Sequence, residues 1–202
     1  MGQYYIPYIE RNGRGKKFSN KVDGEWTGLK LMEHSYNHNC YVGQVVNDLF
    51  YNKGRVCWVG DYYYEDDYDQ VNCSDKALVK LIGELVWNED SKLKEIKSTK
   101  KHVRFLDGCY LVNHTKHEFI DFDDYFKKNQ IEEEWEGEIF HYCIHPLPLL
   151  TCTASHSGGC YEGINKDLCG IWFNDELEVV LYDTAHELEE QGYMKRDFEF
   201  RE

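Results

Sequence analysis

Apolar residues along the chain fall into two periods. Val42, Val45, Val46, Leu49 and Phe50 recur at spacings of three and one, which places them on one face of an amphipathic helix. Asn39 precedes this run as an N-cap and Lys53-Gly54 closes it. A second helix is expected from Ser74-Asp75, with Leu78, Leu81, Ile82, Leu85 and Val86 along one side. Elsewhere the runs are short and strand-like: residues 3–9, ending at an Asn12-Gly13 turn, then 26–32, 55–63, 109–115, 118–122, 138–144, 149–154 and 193–200. Residues 171–173 and 177–182 read as a hairpin around Asn174-Asp175. Asp121 reads as the cap of a short helix over residues 124–130. The sum is an α+β fold, a largely antiparallel sheet of short strands covered by two or three helices, forming a single domain over residues 1–202. Residues 88–104 are highly charged and read as a flexible connection, since neither flank is long enough for a separate core.

Apolar residues make up 42 % of the 202 positions, enough for a packed core and too many for wholesale disorder. No run reaches the ~18 apolar residues of a membrane span. The first residues lack the basic and apolar segments of a secretory leader, and Ile6 stands where a myristoylation signal needs Ser or Thr. The expectation is a soluble, compact protein of the cytoplasm with reduced thiols and no membrane partner. The sequons at Asn72 and Asn113 are then chance matches.

Charge is unevenly spread. Residues 1–104 hold 16 basic and 15 acidic residues, whereas residues 105–202 hold 7 and 22, so nearly all of the net charge of −14 lies in the second half. Such a half repels a duplex, whose binding rests on phosphate neutralisation, so no duplex nucleic-acid partner is expected. Two basic islands stand out: Arg11, Arg14, Lys16, Lys17 and Lys21, and Lys92, Lys94, Lys97, Lys100, Lys101 and Arg104. Either can meet a phosphate; as ordinary surface they are a solvated loop and a solvated helix tail.

The eight cysteines include no CxxC pair, which removes the strongest zinc and redox signals. His141, Cys143 and His145 alternate, and on a strand they share one side. With Cys152, His156 and Cys160 nearby they form the densest set of metal-ligating types, but the spacings fit no tight knuckle, so no metal and no cofactor is expected. Pairing of Cys152 or Cys160 with His156 or His145 matches no nucleophile signature. Ser155, His156, Ser157, Gly158 and Gly159 form a small-residue loop after a strand, where backbone N–H groups can approach an anion. It is neither a phosphate-binding G-K-[ST] loop nor a dinucleotide fingerprint. Asp61 and the pair Asn113-His114 each end a strand, where binding residues gather. If those strands are neighbours, Asp61, Asn113, His114 and the 155–159 loop share one pocket, with Tyr62, Tyr63 and Tyr64 offering stacking surface.

Met1-Gly-Gln-Tyr-Tyr, residues 28–35 (GLKLMEHS), 56–62 (VCWVGDY), 110–116 (YLVNHTK) and 146–151 (PLPLLT) resemble a family of uncharacterised proteins of bacteria and their phages. The resemblance covers most of the chain and implies one domain and an accessory role, without an assigned activity. It also implies an acidic residue close to the position of Cys160, which argues against a thiolate role there. The expected function is binding: an intracellular accessory protein of a phage or mobile element that sequesters a small, nucleotide-like ligand or inhibits a host protein. Two alternatives remain, a small hydrolase using His114 or His156 as general base with Asp61 orienting it, and an acidic protein–protein inhibitor without a pocket, acting through residues 118–138 and the acidic C-terminal region. Oligomeric state is not legible.

Overall fold

The computed structural model describes residues 4–19, 21–22, 25–26, 30–31, 40–61, 63, 76–88, 92–97, 108–153 and 165–200. Its frame is an eight-stranded sheet containing β1 (Tyr5–Arg11), β2 (Arg14–Ser19), β5 (Gly54–Gly60), β6 (Lys94–Lys97), β7 (Cys109–Asn113), β8 (Glu118–Asp121), β11 (Glu176–Leu181) and β12 (Met194–Lys195). The spatial order is β12-β8-β7-β11-β5-β1-β2-β6. All interior pairings are antiparallel; only the two edge pairs, β12 on β8 and β6 on β2, are parallel. Separate two-stranded ribbons pair β3 (Lys21–Val22) with β4 (Glu25–Trp26) and β9 (Ile131–Trp135) with β10 (Glu138–Tyr142). The α+β architecture with a largely antiparallel sheet therefore stands.

The sheet is buried on both faces, which explains why its central strands read as continuous apolar runs. On β1, Tyr5 and Ile9 join one cluster while Ile6 and Tyr8 join another; on β5, Val56 and Trp58 part from Cys57 and Val59 in the same way. One face carries α1 (Cys40–Leu49), α3 (Phe122–Lys128) and α4 (Pro146–Thr151), which supply the larger core. The opposite face carries α2 (Lys76–Trp87), whose Val79, Ile82 and Val86 pack on β1 and β5, and α5 (Ala185–Glu190), whose Leu188 packs with Val112, Phe119 and Val180. Two sheet faces need more cover than one, hence five described helices where two or three were expected.

Local signals placed several elements correctly. Asn12 and Gly13 both adopt positive φ (51° and 71°) in the two-residue turn joining β1 to β2, the geometry that Asn-Gly favours. Asp121 caps α3 by accepting from the Asp124 N–H at 3.1 Å.

Other expectations need correction. Residues 149–154 were expected to be a strand, but Pro146 to Thr151 form a fully buried helix. Pro at the first helical positions lacks only an N–H that has no intrahelical partner anyway, and His145 caps the turn. Residues 171–173 are turns and not the first arm of a hairpin, and β11 pairs instead with β7 and β5. The expected tail strand shrinks to Met194–Lys195. Of the expected strand over residues 26–32, only Trp26 lies in a strand (β4); Lys30 belongs to no element, Leu31 is helical, and residues 27–29 and 32 lie outside the described residues. Within the supposed flexible connection, residues 94–97 form β6, because the ladder to β2 satisfies a backbone whose side chains can stay solvated.

Candidate functional site

The strand-end residues expected to form one pocket are split. The Asn113 position pairs with Leu177, and Leu177 pairs with Gly54, at the start of β5. Asp61 follows the other end of β5, where it accepts from the Tyr4 N–H at 3.1 Å and donates its own N–H to the Tyr4 carbonyl at 2.9 Å. At ~3.3 Å per residue the length of β5 separates them by roughly 20 Å. Asp61 therefore cannot share a pocket with Asn113 and His114, nor orient His114 as a base. Ser155, His156, Ser157, Gly158, Gly159 and Cys160 lie outside the described residues, as do Tyr62 and Tyr64. Thr153, just before that loop, sits at the Asp61 end: its hydroxyl accepts from the Gly60 N–H at 2.8 Å.

Asn113 and His114 are committed to internal bonds. Asn113 is completely buried, donates to Asp175 Oδ2 at 2.8 Å and accepts from the Lys116 N–H at 3.0 Å. Burial pushes the Asp175 carboxyl above its ordinary range, against the pull of Asn113, Lys116 and Arg55. His114 has Tyr193 OH 2.8 Å from Nδ1 and Glu178 Oε2 2.9 Å from Nε2. A carboxylate only accepts, so Nε2 carries the proton and Nδ1 accepts from the tyrosine. Burial lowers the His114 pKa, although the Glu178 bond pulls the other way. Both ring nitrogens are thus engaged by side chains of this chain. Glu178 and Tyr193 escaped the sequence reading, because Glu178 takes the step of β11 opposite to the core-facing Leu177 and Val179 and reads as a solvated position.

The metal-ligating set is also dispersed. β10 ends at Tyr142, so His141, Cys143 and His145 do not continue on one strand face. His141 is exposed beside Glu132, whereas Cys143 and His145 are buried. Among the described residues no group of three His, Cys, Asp or Glu side chains can hold a metal ion. Cys57, Cys109, Cys143, Cys152 and Cys169 are buried thiols outside any disulfide. Burial pushes the Cys143 thiol up to about 12, and Cys152 donates to the Leu149 carbonyl at 3.1 Å. Alkylation mapped by mass spectrometry is expected to leave these five unmodified until denaturant is added. Early labelling of Cys143 would contradict this burial.

What the fold does bring together is the two basic islands. The β2–β6 ladder sets Lys16 beside Lys94, and the β1–β2 turn sets Arg11 opposite Arg14. Register partners share a face, so Arg11, Arg14, Lys16 and Lys94 line one cleft of about 650 Å³ together with Ile9 and Asn12. Asp48 on α1 bonds both Arg11 and Lys16. Arg11 also donates to the carbonyls of Asp48, Asn52 and Lys53, so it is a structural clamp. Arg14 and Lys94 have no acidic partner among the described residues. Lys17 points to the other face and donates to the Val86 carbonyl at the end of α2. The cleft was missed because a parallel pair between residues 16 and 94 leaves no local signal.

No protein-family model, curated protein or solved structure matches this chain.

Proposed function

We propose that this protein binds and sequesters a small, phosphate-bearing, nucleotide-like ligand, with the phosphates in the cleft between β1, β2 and β6. The observation that supports it is like charges set side by side on two ladders of a chain with net charge −14, with Asp48 the one carboxylate that answers them among the described residues. Like charges directly opposite each other on a sheet are destabilising, so an anion in this cleft relieves a cost built into the fold. Arg14 offers the planar fork suited to a phosphate, and Lys16 and Lys94 offer point charges. A volume near 650 Å³ fits a nucleotide-sized molecule. The strongly acidic second half disfavours a duplex as the source of the phosphates. In an accessory protein of a phage or mobile element, such retention withdraws the ligand from the host.

Calorimetric titration with ATP and with inorganic triphosphate at low salt tests this reading. Binding is expected for both, weakening steeply with ionic strength, and ATP should be recovered unchanged. Replacing Arg14 and Lys94 together by Glu should cost roughly 100-fold or more in affinity, since two attractions become repulsions. Asp48→Asn should strengthen binding by roughly 5- to 10-fold, because it removes the internal anion that occupies Lys16. Absence of binding to either compound, or equal affinity in the Glu variants, would remove the proposal.

A further inference from the structure

The opposite edge of the sheet holds a second cleft of different chemistry, about 310 Å³, between β7, β8, β12 and α5. Its floor is aromatic. The Tyr110 ring meets Phe119 edge-on at 5.3 Å (87°) and tilts against Tyr182 at 4.6 Å (45°). Its walls are acidic: Asp121 and Glu189 line the cleft and Asp124 stands behind Asp121. Among the described residues the one ammonium that answers them is Lys195, bonding Asp124 and lying 3.5 Å from Asp121 Oδ2. Asp121 Oδ1 is already occupied, accepting from Tyr182 OH at 2.8 Å and from the Asp124 N–H at 3.1 Å. Glu189 makes no ion pair with a described residue, and neither does His186 beside it. The Tyr110 hydroxyl feels the same field: burial, then Asp121, Asp124 and Glu189, raise its pKa, and Lys195 opposes them.

We infer that this cleft is a site for a small organic ammonium, held against the faces of Tyr110 and Tyr182 with Glu189 as counter-charge. Aromatic faces carry negative quadrupole density and attract soft, weakly hydrated cations such as alkylated ammonium groups. Among the described residues a metal ion finds no group of three converging ligands here, and an anion meets a surplus of carboxylates. Lys195 is the internal precedent, an ammonium of this chain that lines the cleft and is held by its carboxylates. The site lies at the other end of the strand order from the basic cleft, so the two stand or fall separately.

The test is an NMR titration of the full chain with choline chloride, against dimethylbutanol as its uncharged carbon isostere and sodium chloride as the salt control. Choline should shift resonances of Tyr110, Tyr182, His186 and Glu189 saturably, and neither control should. Glu189→Gln should weaken binding by about 3- to 5-fold. Lys195→Gln should tighten it by about 5- to 10-fold, since removing the resident ammonium frees Asp121 and opens the rings. Both side chains are exposed, so the fold tolerates these changes. Equal shifts with the isostere would make the cleft merely apolar. Absence of saturable shifts, or weaker binding after Lys195→Gln, would overturn the inference.

Discussion

Acidification from pH 7 toward pH 3 is expected to remove several kcal/mol of stability through one residue, His145. The side chain is wholly buried, and its Nδ1 accepts from the Leu147 N–H at 3.1 Å to cap α4. Phe122 and Phe126 pack on it, with ring centroids at 5.0 and 6.0 Å. Desolvation pushes its pKa down to about 3, whereas in the unfolded chain it returns to ~6.5. The folded state therefore favours the neutral ring. The stability this contributes is complete above pH ~6.5 and is lost as the pH falls toward 3, in total about 5 kcal/mol. Protonation also turns the cap from an acceptor into a donor facing another donor.

His114, lowered by burial, adds to this loss; Asp175, raised by burial, opposes it, because its protonated form is favoured in the fold. Since domains are stable by only ~5–15 kcal/mol, unfolding is expected between about pH 5 and pH 3. Urea melts at several pH values check this in the wild type and in His145→Asn, whose carbonyl oxygen keeps the cap without titrating. The variant should be less stable at neutral pH but show a flatter pH dependence. Parallel profiles would mean that His145 does not govern the acid response.

Trp172→Ala is expected to cost about 3–5 kcal/mol at neutral pH, the range for emptying a large aromatic site. Trp172 is fully buried in the larger core, and its N–H donates to the Leu150 carbonyl at 2.7 Å. Its indole Nε1 donates to Glu118 Oε2 at 2.9 Å, while Arg196 holds Glu118 Oε1 at 2.8 Å. The ring thus packs α4 against the sheet and anchors the carboxylate that ties the C-terminal segment to β8. Gly170 makes the approach possible: it has φ 69°, and a Cβ there would lie 2.6 Å from the Cys152 carbonyl oxygen. Trp172→Phe keeps most of the packing and should lose only about 1–2 kcal/mol, the share of the indole bond. Denaturant melts separate the two variants, and a cost below ~1 kcal/mol for the alanine change would contradict this account.

Much of the fold was legible where the signal is local. The 3,1,3,1 spacing of Val42 to Phe50, the Asn12-Gly13 turn and the Asp121 cap each act within a few residues, and each appears at its expected place. Errors arose where partners are distant. Residues 149–154 alternate too little to separate strand from buried helix, and burial on every side of α4 erased its periodicity. Residues 94–97 carry lysines and read as solvated, yet the ladder to β2 uses only their backbone. The candidate pocket failed for a geometric reason. Asp61 and Asn113 both end strands, but β11 pairs only with Gly54 and Arg55 of β5, so the end of β7 is level with the start of β5 while Asp61 follows its far end.

By itself, then, the sequence determined which segments are apolar on one face, where turns and caps fall, and that the charge divides between halves. These are properties of neighbours along the chain. Only the tertiary structure decided that Lys16 stands beside Lys94, that His114 belongs to Glu178 and Tyr193, and that Tyr110, Tyr182 and Glu189 meet in one cleft. Strand order and register set these neighbours, and both follow from burying two sheet faces at once, a condition on the whole chain that no local window contains.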